Sequence, residues 1–313
     1  MYSSASNDSD LERNVLNRIA QSWNHRVAVR QERLDLSQYY DASIPDFPIA
    51  MVPFWNDPEF ACLQQADKLR FLAAAWIAYN EKAIYLEDEI VQPLCSLLLK
   101  DVLPGVSDPQ VKQVLAQIQV DEQFHILMCL EICNSARMRH QLHDYVMPEP
   151  RVGLKLKELL DTAGTRIEYA LMRLAYASVA EMSINAYLNQ VATDQTIQPL
   201  NRINTDMHRR DESAHSTAFR EVVGSIYKSL GDDAKARFKK YLVKALNDYT
   251  EPDLSVWISL MSHLQIVGGE AIIGRLEQAS RSTRSKRDYT TLLSLFDEIG
   301  IKEELDFSFD AVD

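Results

Sequence analysis

Asp121-Glu122-Gln123-Phe124-His125 recurs as Asp211-Glu212-Ser213-Ala214-His215, and this doubled D-E-x-x-H decides how the chain folds. Residues three apart on a helix point from one face, so each Glu and His can grip one ion together or bridge two. Each copy follows a glutamate set among apolar or small residues. Glu87 is flanked by Ala83, Ile84, Ile90 and Val91, and Glu181 by Ala177, Ala180, Ile184 and Leu188. The chain therefore reads as two helical hairpins, each giving one Glu and then one Glu-x-x-His.

Two such hairpins predict an all-α fold, a ferritin-like four-helix-bundle core with additional peripheral helices. Working outward, a helical pattern runs from 66 to 103 with Pro93 as its expected kink. Ser107, Asp108 and Pro109 give the next helix a capped start, and its apolar period passes through Val111, Val114, Leu115, Ile118, Phe124 and Met128 to an end near His140. After Pro148 and Pro150 come a short helix at 154–160, a long one at 165–191 and a fourth long one at 198–230, with Gly231 as its stop. Smaller helices are expected at 232–246, 252–264, 271–279 and 290–299. Leu11, Val15, Leu16 and Ile19 suggest a peripheral amphipathic helix, and four prolines between 39 and 58 predict a stretch extended over the surface. Residues 1–313 read as one domain, with 1–8 and 308–313 expected to be disordered.

Nine glycines are few for 313 residues, which disfavours hairpin-rich and dinucleotide-binding folds. A formal net charge of −12 without a Lys/Arg stripe argues against nucleic acid. Cys62, Cys95, Cys129 and Cys133 show no CxxC spacing and read as reduced thiols. Neither a signal sequence nor a bilayer-length apolar run is visible, so the expectation is a cytoplasmic protein without a membrane partner.

Four carboxylates cancel the charge of two divalent ions, which is what makes burying them affordable. The predicted metal set is Glu87, Glu122, His125, Glu181, His208, Glu212 and His215. His208 joins because it lies four residues before Glu212 and seven before His215, on the same stripe. Asp121 and Asp211 are expected to accept from the free ring nitrogens of the opposite histidines, Asp121 from His215 and Asp211 from His125. Cys129, one turn after His125, reads as core packing rather than a ligand. Imidazoles and carboxylates with open positions suit iron and dioxygen.

These residues also resemble a known family, the dinuclear-iron arylamine N-oxygenases of the aureothin type, which include a chloramphenicol-pathway member. The resemblance extends from about Pro45 to Phe307. It rests on Ala75-Trp76-Ile77-Ala78-Tyr79-Asn80-Glu81, the spacing from Glu87 to Glu122 and His125, Val179-Ala180-Glu181-x-x-Ile184-Asn185, Thr196-Ile197-Gln198-Pro199 and His208-x-Arg210-Asp211-Glu212-x-Ala214-His215. It implies the same seven ligands, two iron ions cycling between Fe2+ and Fe3+, and O2 as co-substrate. The implied reaction carries an aromatic amine through hydroxylamine and nitroso stages toward a nitro group, in natural-product and antibiotic biosynthesis. It further implies that Tyr79 and Arg287 contact a substrate carboxylate, and Asn185 is a further candidate for the pocket. The expected partners are a small-molecule aryl amine and an external electron donor, with a homodimer left open. Two alternatives stay open: a di-iron oxidase or hydroxylase acting on carbon, and a ferritin-like iron-handling protein.

Overall fold

Good helix formers fill long stretches of this sequence, and the residues that start and stop helices sit at their ends. The computed structural model describes residues 4–31, 40–280 and 288–309 and, among these, contains no strand. The helices are α1 (Ser4–Arg26), α2 (Pro58–Ala61), α3 (Gln65–Leu86), α4 (Gln92–Leu99), α5 (Pro109–His140), α6 (Arg151–Leu160), α7 (Arg166–Glu181), α8 (Ile184–Ala192), α9 (Pro199–Ser229), α10 (Asp232–Thr250), α11 (Ser255–His263), α12 (Gly269–Ser280) and α13 (Thr290–Glu298). Asp108 caps α5 by accepting the Gln110 N–H at 2.8 Å, and Pro109 occupies the first turn, where its missing N–H costs nothing. Thr165 caps α7 in the same way, its hydroxyl accepting the Glu168 N–H at 3.1 Å.

The run α3–α4 pairs with α5, α7 packs on α9, and α5 also meets α9, which closes a four-helix core. Along α5 the buried apolar residues divide into two clusters. Val111 to Ile118 belong to one and Ile132 to Ala136 to the other, with Asp121, Glu122 and His125 between them. The bundle is thus two apolar blocks around a polar layer. Trp76, Phe71 and Phe219 are fully buried in those blocks, each contributing about 1.5–3 kcal/mol by leaving water.

The helix bearing Glu87 is irregular at that residue. Residues Glu87–Val91 form one π turn, in which the Gln92 N–H reaches the Glu87 carbonyl five residues back. Pro93 supplies the reason. It has no N–H for the carbonyl of Glu89, four residues earlier, and the wider turn displaces the expected kink to the residues before it. Arg173 of α7, itself buried, donates from Nη1 to the Glu89 oxygen at 2.8 Å.

The helix expected at 165–191 is broken at Met182 and Ser183, directly after Glu181. There the Ser183 hydroxyl donates to the Val179 carbonyl at 2.6 Å, competing with the backbone ladder. Both single glutamates therefore stand at helix irregularities.

One further expectation needs correcting. The stretch expected to lie extended over the surface does not, from residue 40 on: it makes turns and buries Phe47, Val52 and Phe54, with Phe54 edge-on to Phe60, Phe71 and Trp257. Toward the ends, α1 begins at Ser4 and Phe309 packs against Tyr289, Phe296 and Phe307; residues 1–3 and 310–313 of the segments expected to be disordered lie outside the described residues. α1 lies outside the four-helix core as expected, with Leu16 and Ala20 buried where it meets α5 and α9.

Candidate metal centre

Six of the seven candidate ligand side chains converge from three helical runs, α5, α9 and the π turn after α3, and Glu181 joins them from the last residue of α7. None is more than 4% exposed. Their donor atoms form two groups that share one residue. Glu87, His125, His208 and Glu212 make the first, and Glu122, Glu181, Glu212 and His215 make the second. Glu212 Oε1 lies 3.5 Å from His125 Nδ1 and 3.4 Å from His215 Nδ1. Glu122 also stands between these rings, with Oε2 3.4 Å from His125 Nδ1 and Oε1 3.2 Å from His215 Nδ1. His208 presents Nε2 to Glu87 at 2.8 Å and to Glu212 at 3.3 Å.

The outer nitrogens of two rings meet the aspartates of the motif. His125 Nε2 is 3.2 Å from Asp211 Oδ2, and His215 Nε2 is 3.1 Å from Asp121 Oδ2. Such carboxylates fix which ring nitrogen carries a proton and turn Nδ1 inward. Each aspartate is held in turn by the N-terminal segment. Trp23 Nε1–H donates to Asp121 Oδ1 at 2.9 Å, and the Ala28 backbone N–H donates to Asp211 Oδ2 at 2.9 Å with Arg26 beyond at 3.5 Å. Sequence reasoning missed Trp23, Arg26 and Ala28. The spacing of Leu16, Ala20 and Trp23 marks a helix face, but nothing in it points to aspartates about a hundred or more residues away.

A donor set so arranged fits cations. Both Glu87 oxygens, Glu122 Oε1, Glu181 Oε2, Glu212 Oε2 and His215 Nδ1 are buried without a directed hydrogen bond, which is costly unless something positive sits among them.

Comparison with known proteins shows the family. The family model described as p-aminobenzoate N-oxygenase AurF matches residues 9–300. A 4-aminobenzoate N-oxygenase from Streptomyces thioluteus is 32% identical over 298 residues, covering 94% of this chain and 89% of that protein. The chain belongs to the AurF family of N-oxygenases. No helix among the described residues of this N-oxygenase is long and apolar enough to cross a membrane.

Electrostatics within this N-oxygenase centre follow from burial. Burial raises Glu87 to about 7 and Glu181 well above the usual carboxylate range. For His125, His208 and His215 burial works the other way, but the surrounding carboxylates outweigh it and hold all three well above an ordinary histidine. Burial likewise opposes ionisation of Glu122 and Glu212, yet the nearby imidazoles win and hold both low. The cluster thus shares protons where metal charge would otherwise lie. Cys129 is buried beside His208, and burial pushes its thiol up, away from the thiolate a metal would need.

A cavity of 350 Å³ reaches the neighbours of Glu87 and Glu181. Tyr79, Ala83, Leu86, Ala180, Ile184 and Leu188 are among its walls, and Lys82, Glu251, Asp253 and Asp288 also line it. Tyr79 stacks on Tyr187 at 4.9 Å, and its buried hydroxyl has no hydrogen-bond partner. Asn185 is not among the lining residues, because its amide oxygen accepts from Ser213 on α9 at 3.2 Å. It is the next residue after Ile184 on the helix, and that single step turns it toward a different face. Arg287 lies outside the described residues, next to Asp288.

Proposed function

We propose that this chain is a single-domain di-iron N-oxygenase that oxidises a carboxylate-bearing aryl amine, of the 4-aminobenzoate kind, through hydroxylamine and nitroso stages to a nitro compound. The observation that carries this reading is the pair of buried donor clusters joined at Glu212, with an organic-sized cavity beside them. Glu87, His125, His208 and Glu212 would hold one ion, and Glu122, Glu181, Glu212 and His215 the other. Mixed imidazole and carboxylate donors suit iron, which when bound supplies the activation of dioxygen.

The chain's own residues do the rest. Ala83, Leu86, Ala180 and Ile184 give the cavity an apolar wall against which an aromatic ring would pack. Tyr79, with its hydroxyl unpartnered, is placed to donate to the carboxylate, and Arg287 would add a planar two-pronged donor. Held at that end, the ring directs its amine toward Glu87 and Glu181, which is the positioning an oxygen transfer to nitrogen requires. An external electron donor would return the iron to its reduced state. A cavity of this size also favours an organic substrate over iron storage.

The test is to load the protein with ferrous iron anaerobically, add 4-aminobenzoate and admit oxygen labelled with the heavy isotope. Labelled hydroxylamino, nitroso or nitro product supports the reading. Label on ring carbon, or no oxidation of any aryl amine, defeats it.

A further inference from the structure

We infer that Trp23 is a redox relay, through which single electrons reach the metal centre from the protein surface by way of Asp121 and His215. The inference rests on the di-iron reading above but concerns a residue outside the donor set.

Three side chains form a continuous bonded path. Trp23 is half-buried on α1, its Nε1–H donates to Asp121 Oδ1 at 2.9 Å, and Asp121 Oδ2 faces His215 Nε2 at 3.1 Å. His215 then turns Nδ1 inward, 3.2 Å from Glu122 and 3.4 Å from Glu212. An indole is among the most readily oxidised side chains, and here its proton has an acceptor ready. The guanidinium of Arg30 lies 5.1 Å from the centre of the indole ring. A positive charge at that place raises the cost of a cationic indole, so oxidation is steered to the neutral radical formed as the N–H proton leaves.

The pseudo-equivalent aspartate offers a control within the molecule. Asp211 is held by the Ala28 backbone N–H and by Arg26, neither of which can give up an electron. Among the described residues, only one of the two aspartate–histidine pairs therefore ends in an oxidisable group.

When oxygen has oxidised the iron and no amine is present to consume that oxidising power, the indole gives one electron through Asp121 and His215. Its Nε1 proton moves to Asp121 Oδ1, leaving a neutral indolyl radical. Ascorbate, a one-electron donor at the surface, then returns an electron to the ring, and the proton goes back from Asp121 to Nε1.

The experiment uses the full iron-loaded chain, reduced, mixed with oxygen without amine and freeze-quenched for electron paramagnetic resonance. The expected wild-type result is an indolyl radical whose hyperfine pattern changes with ring-deuterated tryptophan and whose decay quickens with ascorbate. Trp23→Phe and Trp23→Gln should abolish it at unchanged iron content, although Gln can still donate an N–H to Asp121. Trp23→Tyr should replace it with a phenoxyl signal, and this variant decides the matter if Trp23→Phe loses iron. No radical in wild type, or an indolyl signal that persists in the Phe and Gln variants, overturns the relay. A wild type that loads iron and makes product but forms no radical defeats the relay alone, whereas a chain that takes up no iron defeats the N-oxygenase reading with it.

Discussion

Seven residues before the motif histidine, the first half of the repeat has Ile118 and the second has His208. Both positions are buried and on the same helix stripe, but one belongs to an apolar cluster and the other carries a donor into the centre. The outcome is asymmetric. One group of donors has two imidazoles and two carboxylates, and the other has one imidazole and three carboxylates. The supports differ as well, since Asp211 rests on a main-chain N–H and Asp121 on an indole. A repeat can thus preserve where ligands stand while each half acquires its own donor strength and its own connection to the surface.

The largest expected effect comes from the residue both groups share. Glu212→Ala should take iron from about two ions per chain to almost none and abolish N-oxygenation, measured by metal analysis and product assay. Glu181→Ala, which serves one group, should leave about one ion. Equal loss from both variants would break the picture of two groups hinged at Glu212. Next in size is His208→Ala, expected to weaken only the imidazole-rich position and to leave one ion bound. A variant that keeps both ions would make His208 a bystander.

Acidity gives an intermediate effect whose sign follows from Glu87. With its folded pKa raised to about 7, this group favours the metal-free fold below the ordinary carboxylate range, and that contribution is lost as pH climbs through about 7. Metal must displace the same proton, so loading strengthens over that window. Melting temperatures of metal-free and iron-loaded protein should therefore diverge as pH rises from about 5 to 8. Parallel curves would show that protons and metal do not compete there. Glu122 and Glu212 are held low and do not titrate in this range.

The smallest effect separates the two ways of holding Asp211. Arg26 is about a quarter exposed at 3.5 Å, and Ala28 holds Asp211 without it. Arg26→Ala should cost roughly 1 kcal/mol or less in stability. Asp211→Asn, by contrast, should weaken iron binding by roughly ten- to a hundred-fold. Similar losses for the two would mean that the guanidinium, and not the backbone, carries Asp211.

The convergence of seven donors was legible because Glu-x-x-His on a helix has one geometric meaning and occurs twice. Helix boundaries set by local chemistry were legible too, as Asp108 and Pro109 illustrate. Most of what escaped depends on partners far off in sequence. Pro93 announces a disturbance, but a π turn at Glu87–Val91 also involves Arg173 from another helix reaching the Glu89 carbonyl. The break at Met182 and Ser183 is hidden because serine is common inside helices, and only the 2.6 Å bond to Val179 shows which way it acts. Trp23 and Ala28 look like an ordinary helix end until the bundle brings Asp121 and Asp211 beside them.

The most direct test is an anaerobic titration of metal-free protein with ferrous iron, read as ions bound per chain. Saturation at about two, with Glu212→Ala binding almost none, is the result this account requires. Failure to take up iron, or uptake of many ions per chain, would contradict it.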